Sequence, residues 1–188
     1  MKIDLTLKLN PEMLKTASGQ NRSLFGHLGT HFDVMNKEFP LEYTELPGIV
    51  FDVEGIVDRD IEVSDISLDR VKPGMFVLFH TGFLEKEGYG TPVYSHQHPQ
   101  LSPQLIEKLI ERRIALIGVD CAGIRRSKEH TPADQLCADN NVFVIENLCN
   151  LKELTKEKNL LIHTYPMNCS GISGLPCRVI AETFIPEP

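Results

Sequence analysis

The sequence predicts a single mixed α/β domain spanning residues 1–188, and three observations carry that expectation. The first half is rich in short apolar, β-branched runs of strand length. The second half alternates helix-like with strand-like segments. No internal repeat, low-complexity tract or linker interrupts the 188 residues, a length that suits one compact domain. A chain of this size buries roughly 70% of its unfolded surface, enough for a self-sufficient core.

Taken in order, Ile3–Leu9 alternates apolar and polar residues and reads as a strand. After the polar stretch ASGQNRS, residues Gly26 to Asp33 read as a second strand. The β-branched run GIVFDVEGIV at 48–57 is a third, interrupted by Gly55, and the turn at Pro73-Gly74 leads into MFVLFH at 75–80. The glycine- and proline-rich stretch from Thr81 to Pro99 is expected to be loop. Ser102 then caps a helix with Pro103 at its first position, and Leu105, Ile106, Leu109 and Ile110 fall on one face. IALIGVD at 114–120 is a short apolar strand of the kind buried on both faces. Thr131-Pro132 repeats the cap-plus-proline signal for a helix to about Asp139, and VFVIEN, NLLIHTYPM and LPCRVIAETF supply the last strands.

Acidic residues outnumber basic ones 26 to 19, a net charge of −7, which disfavours the basic footprint that nucleic-acid binding requires. The balance fits a protein that handles small molecules or holds cations. No apolar run approaches the roughly 18 residues of a membrane span, and no stretch reads as a signal peptide. The five cysteines lack CxxC spacing, which suggests reduced thiols in the cytoplasm and no disulfide framework.

The stretch HLGTHFD, from His27 to Asp33, concentrates the chemistry. Histidines at i and i+4 could share one metal on a helix, but Gly26, Gly29 and Thr30 argue against helix. In a strand, His27, Gly29, His31 and Asp33 share one face. Four residues of straight strand span roughly 13 Å, too far for both histidines to reach one ion. Either the glycines bend the chain or two adjacent ions share the cluster. Imidazole with carboxylate suits zinc, manganese or iron. The competing reading is a polar turn whose side chains satisfy backbone groups.

At these residues the chain resembles the cyclase-like metal-dependent hydrolase family, which includes bacterial kynurenine formamidase and isatin hydrolase. The family signature HxGTHxDxPxH corresponds here to HLGTHFDVMNK. LFHTG at 78–82, HPQLSPQLIEKL at 98–109, IALIGVD at 114–120, VFVIENL at 142–148 and GISGLPCRV at 171–179 match in the expected order. The resemblance implies a swivelling β/β/α fold, a mixed sheet with flanking helices, in a homodimer or higher homo-oligomer. It implies one or two divalent ions, zinc or manganese, and hydrolysis of C–N bonds in small cyclic amides or aryl formamides by metal-activated water. It makes His27, His31, Asp33 and Glu146 metal ligands, with Glu146 bridging. A further family histidine, twelve residues before that glutamate, corresponds to Asp134, which is preferred as the oxygen ligand; His130 is the rival.

The signature's last histidine, a proton shuttle in the family, corresponds to Lys37, and its proline to Met35. A lysine with an ordinary pKa of about 10.4 is a poor base at neutral pH, but nearby cations would lower it. Lys37 then serves as base or oxyanion stabiliser, or it is a surface lysine in a catalytically silent member that binds metal or ligand. His80 is expected to be structural or pocket-lining, His96 and His98 ordinary loop residues, and His163 a packing residue. Arg125 and Arg126 are candidates for a substrate carboxylate or a solvated pair. Phe25, Phe32 and Phe39 line an aromatic pocket or the core.

Overall fold

The computed structural model describes residues 1–7 and 26–184. The strands are β1 (Lys2–Asp4), β2 (His31–Asp33), β3 (Glu45–Asp52), β4 (Phe76–His80), β5 (Leu116–Val119), β6 (Phe143–Glu146), β7 (Leu160–Pro166) and β8 (Gly174–Thr183). The helices are α1 (Phe83–Glu87), α2 (Pro92–Gln97), α3 (Pro103–Glu111) and α4 (His130–Asp139). All strands join one mixed sheet in the order β1-β8-β2-β6-β5-β4-β3-β7, and β7 also pairs with β8. That last pairing closes seven strands into a barrel. β3, β4, β5 and β6 run parallel, while β2 is antiparallel to both β6 and β8.

Strand alternation sorts the core into two clusters. Val50, Phe76, Leu78, Leu116, Phe143, Ile145, Ile162 and Val179 meet inside the closed sheet. Their sequence neighbours Val77, Phe79, Ile117, Val119 and Val144 face outward, and α3 covers them with Leu105, Ile106 and Leu109. The α3 signal holds as read: Ser102 Oγ accepts from the Leu105 amide and Pro103 opens the helix. The same parity puts Glu146 on the outward face with Val144, beside α4, which packs on β6.

Several expected boundaries shift. The strand expected over Gly26–Asp33 is only His31–Asp33; the residues before it form a turn. The strand expected at 48–57 starts earlier, at Glu45, and stops at Asp52. The expected loop from Thr81 to Pro99 holds α1 and α2, short because Gly82 and Gly88 sit at the ends of α1 with positive φ and Thr91-Pro92 restarts the chain as α2. Helix α4 begins at His130, so Thr131 lies in its first turn and does not cap it. β1 ends at Asp4, and of the expected continuation residues 5–7 form only an isolated bridge from Thr6 to Leu148, while residues 8–9, like Phe25, lie outside the described residues. Among the described residues, no helix is long and apolar enough to cross a membrane.

The interior cluster sets the stability of everything built on it. Phe143→Ala, which empties a fully buried site between β5 and β2, is expected to lower unfolding stability by about 3–5 kcal/mol, measured by urea denaturation.

Candidate metal centre

Sequence and backbone together explain how the His27–Asp33 residues converge. Antiparallel pairing sets His31 opposite Glu146 and Asp33 opposite Val144, so His31, Asp33 and Glu146 share one face of the sheet. His27 is not on the strand. Gly29, at φ +67°, turns the chain so that His27 Nδ1 lies 3.2 Å from His31 Nε2 and 3.0 Å from Asp33 Oδ1. Equal strand parity therefore does not bring the two histidines together; the glycine turn does. Gly26 and Gly174 make that turn possible, because a Cβ on Gly174 would come within 2.8 Å of both the Gly26 backbone and the His27 ring. Ser173 Oγ, 3.0 Å from His27 Nε2, fixes the outer side of the ring.

Helix α4 brings in the rest. His130 and Asp134, one turn apart, face the same point: His130 Nε2 is 3.1 Å from Asp134 Oδ2 and 3.2 Å from Glu146 Oε1. Both rivals for the additional ligand position therefore reach the cluster. His31 Nε2 stands 3.6 Å from Glu146 Oε2 and 3.7 Å from Asp33 Oδ2, which joins the two halves.

A layer of hydrogen bonds behind the cluster aims it. His31 Nδ1 donates to the Gly29 carbonyl at 2.8 Å, which leaves the Nε2 lone pair pointing inward. Asn147 Nδ2 donates to that same carbonyl at 2.9 Å, and Tyr94 Oη donates to Asn147 Oδ1 at 2.7 Å. Tyr89 Oη accepts from the Gly29 amide, and Thr30 Oγ donates to the Asn147 carbonyl while accepting from the Leu7 amide. Sequence reasoning missed Asn147, Tyr89, Tyr94 and Ser173 as site residues. Asn147 directly follows Glu146 and could have been suspected; the tyrosines lie in a stretch read as plain loop.

The electrostatics are those of a pocket suited to a cation. Asp33, Asp134 and Glu146 are all buried together. Burial, then the charge of Asp33, drives the Glu146 carboxyl well above its usual range, and burial pushes Asp134 up to about 6. Burial also pushes Asp33 upward, but His31 and His27 outweigh it and hold Asp33 below its usual range. The close carboxylates of Asp134 and Glu146 raise His130 to about 11, whereas burial lowers His31. Asp33 Oδ2, Asp134 Oδ1 and Glu146 Oε1 are buried with no hydrogen-bond donor; the His130 contact to Glu146 is close but poorly aligned. Three buried acceptors without donors are costly unless something positive sits among them. The donor atoms of His27, His31 and Asp33 lie within 4.8 Å of one another, as do those of Asp33, His130, Asp134 and Glu146. Imidazole and carboxylate donors at this spacing fit divalent zinc or manganese, and Asp33 belongs to both groups.

The remaining candidates disperse. Lys37 Nζ forms an ion pair with Asp139 at 2.7 Å near the end of α4, and no carboxylate of the cluster lies within 4 Å of it. His80, buried at the end of β4, is bonded to Asp52; His96 is exposed on α2; His163 on β7 pairs with Glu182 and Glu45. Arg125 is buried and committed to Asp60, Glu129 and the Leu101 carbonyl. Phe32 and Phe39 pack on each other with ring centres 4.7 Å apart, as part of the core.

The family model described as "Putative cyclase" matches residues 3–125. The chain belongs to this cyclase family. The match ends before His130, so the α4 and β6 half of the centre lies beyond it. Isatin hydrolase A from Ralstonia solanacearum has the same fold, with a TM-score of 0.76 over 96% of this chain and 91% of that one, at 21% identity. A predicted metal-dependent hydrolase from Bacillus stearothermophilus aligns with a TM-score of 0.76 over 96% and 97% of the two chains, at 22% identity. Isatin hydrolase A from Labrenzia aggregata, bound to benzyl benzoate, gives 0.74 over 96% and 93%, at 20% identity. These identities establish a shared fold for the cyclase-family chain. No curated protein matches its sequence.

The raised carboxyls make a pH prediction with a definite sign. Between the unfolded value of about 4 and the folded value, the native chain binds more protons than the unfolded one, so metal-free stability falls as pH rises. His130, raised above its unfolded value of about 6.5, continues the fall at higher pH; His31 and His98, lowered by burial, oppose it only up to about pH 6.5, where the two raised carboxyls act together, and Asp33 acts only below about 4. The melting temperature of metal-free protein should therefore drop from pH 5 to pH 8. Added Mn²⁺ should raise it more at pH 8 than at pH 5, measured by differential scanning fluorimetry.

Proposed function

We propose that this cyclase-family protein is a metal-dependent hydrolase of C–N bonds in small cyclic amides or aryl formamides. The observation that carries the proposal is the convergence of three histidines and three buried carboxylates, three of whose oxygens have no donor. His27, His31 and Asp33 would hold one ion, and Asp33, His130, Asp134 and Glu146 a second, with zinc or manganese both suited to the donors. A divalent ion bound there supplies Lewis acidity and brings the pKa of a water to roughly 7, within reach of neutral pH.

The protein's own residues do the rest. Segments 34–39 and 165–173 wall a cleft of about 1250 Å³; none of the six cluster residues lines it, and its link to them is Ser173, the partner of His27. Met35, Phe39 and Ile172 give that cleft apolar surface, while Asn36 and Asn168 add hydrogen-bonding groups, a mix suited to a small ring with a polar amide. The fold it shares with isatin hydrolases supports a cyclic amide as the first substrate to try. Lys37 lines the cleft, but its ammonium is engaged by Asp139, which assigns it no proton transfer.

The test is metal analysis joined to a hydrolysis assay with isatin and formanilide. Purified protein should carry stoichiometric zinc or manganese, and chelator-sensitive turnover of at least one substrate should return when metal is restored. The His31→Ala, Asp33→Ala double variant should lose the metal and its turnover together; metal retention by that variant would defeat the proposal, as would a loaded protein that hydrolyses neither substrate. Lys37→Ala should cost less than about tenfold in kcat, below the roughly 10²–10⁴-fold expected on removing a general base.

A further inference from the structure

Gly29 carries the turn on which the His27 ring enters the centre, and both of its backbone polar groups are held by side chains. Its amide donates to Tyr89 Oη at 2.9 Å. Its carbonyl accepts from Asn147 Nδ2 at 2.9 Å and from His31 Nδ1 at 2.8 Å, and Tyr94 Oη donates to Asn147 Oδ1 at 2.7 Å. The amide turns with φ and the carbonyl with ψ, so the two sets of bonds hold the two soft torsions separately. Glycine has the widest torsional range of any residue, and Gly29 uses it at φ +67°, so the restraint has to come from outside the residue.

The outside restraint on φ is Tyr89, which lies between α1 and α2. Gly88 and Gly90 flank it with φ of +77° and +81°, and a Cβ on either would meet nothing within 4 Å. Those glycines serve the backbone reversal and not a close approach, and the reversal is what carries the phenol to the Gly29 amide. The Tyr89 ring meets Tyr94 edge-on with centres 5.9 Å apart, and Tyr94 stacks on Phe83 at 6.1 Å. The phenol is thus anchored in the outer hydrophobic cluster.

The six donors of the centre do not depend equally on Gly29. His31 and Asp33 ride on β2, whose pairing with β6 and β8 begins at His31, and Glu146 rides on β6. His130 and Asp134 come from α4. His27 alone precedes Gly29 in the chain, so a change in the φ of Gly29 displaces its ring and leaves the other five in place. The further bond to that ring, from Ser173 Oγ to Nε2 at 3.0 Å, is made on its outer side.

We propose that Tyr89 is a positioning residue for His27. Through the Gly29 amide it sets how tightly an ion is held by His27, His31 and Asp33, while Asp33, His130, Asp134 and Glu146 keep their arrangement without it. The two halves of the centre are then filled independently. This deepens the metal-dependent hydrolase proposal and rests on it, because it names the residue that governs one of the two ion positions.

The test is titration of the metal-stripped full chain with the ion it carries when purified, zinc or manganese, against a competing chelator. Wild type, Tyr89→Phe, His27→Ala and the double variant are compared; phenylalanine keeps the ring packing and removes only the acceptor oxygen. Tyr89→Phe should weaken binding at least about tenfold, the scale of losing a group that orients a metal ligand. In the His27→Ala background, with no ring to place, the same change should alter affinity by less than about twofold. A tenfold loss in both backgrounds makes Tyr89 a general structural residue and overturns the proposal. Wild-type affinity in either single variant overturns it as well. Hydrogen exchange gives a reading without metal: the Gly29 amide should exchange at least about tenfold faster in Tyr89→Phe, and equal rates overturn the proposal. Coupling between Tyr89 and His27 without turnover of isatin or formanilide sustains the positioning role and sinks the hydrolase. Turnover with additive effects of the two variants does the reverse, and a chain that binds neither ion sinks both.

Discussion

Three residues of antiparallel pairing, His31–Asp33 against Val144–Glu146, hold the two halves of the centre in register. β2 is short, yet it sits between β6 and β8, so its position is set from both sides. A one-residue slip would turn His31 and Asp33 into the barrel interior and bring Phe32 out, exchanging buried charge for exposed ring. Phe32, fully buried against the interior cluster, is the anchor that forbids this slip. The centre therefore inherits its geometry from the hydrophobic core.

The same arrangement places a cost on the fold. Three carboxylates share a space with three imidazoles, and among the described residues the only charged donor to Asp134 is His130. Buried like charges survive where hydrogen bonds and opposite charge compensate them, and here the compensation from protein alone is incomplete at three oxygens. Rigidity behind the cluster, through Asn147, Tyr94, Tyr89 and Thr30, keeps the side chains from relaxing apart. Such support is what a preformed ion site requires.

Much of this was legible before any coordinates. The α3 cap, the apolar strands β4 to β6 and the mixed sheet follow from local patterns that report directly on burial. The His27–Asp33 cluster was visible as composition, and the glycine bend, one of the two geometries its spacing allowed, is the one that brings the histidines together. Strand parity is a statement about regular backbone, and Gly29 ends the regularity just where His27 must fold back. Helices α1 and α2 were missed because glycine and proline dominate that stretch, and those residues mark ends without saying what lies between them. Tyr89, Tyr94 and Ser173 carried no signal, since their roles arise from contacts across 53 or more residues of chain.

Helix α4 offers a final point about how such centres tolerate change. His130 and Asp134 occupy equivalent azimuths one turn apart, and both touch the same carboxylate-lined space. A helical face thus supplies spare coordination: a donor type can change at one position while its neighbour four residues away still addresses the same point. The chemistry of the centre can then drift from nitrogen toward oxygen donors without moving the backbone. In this chain the periodicity of a single helix sets a nitrogen and an oxygen donor against one point.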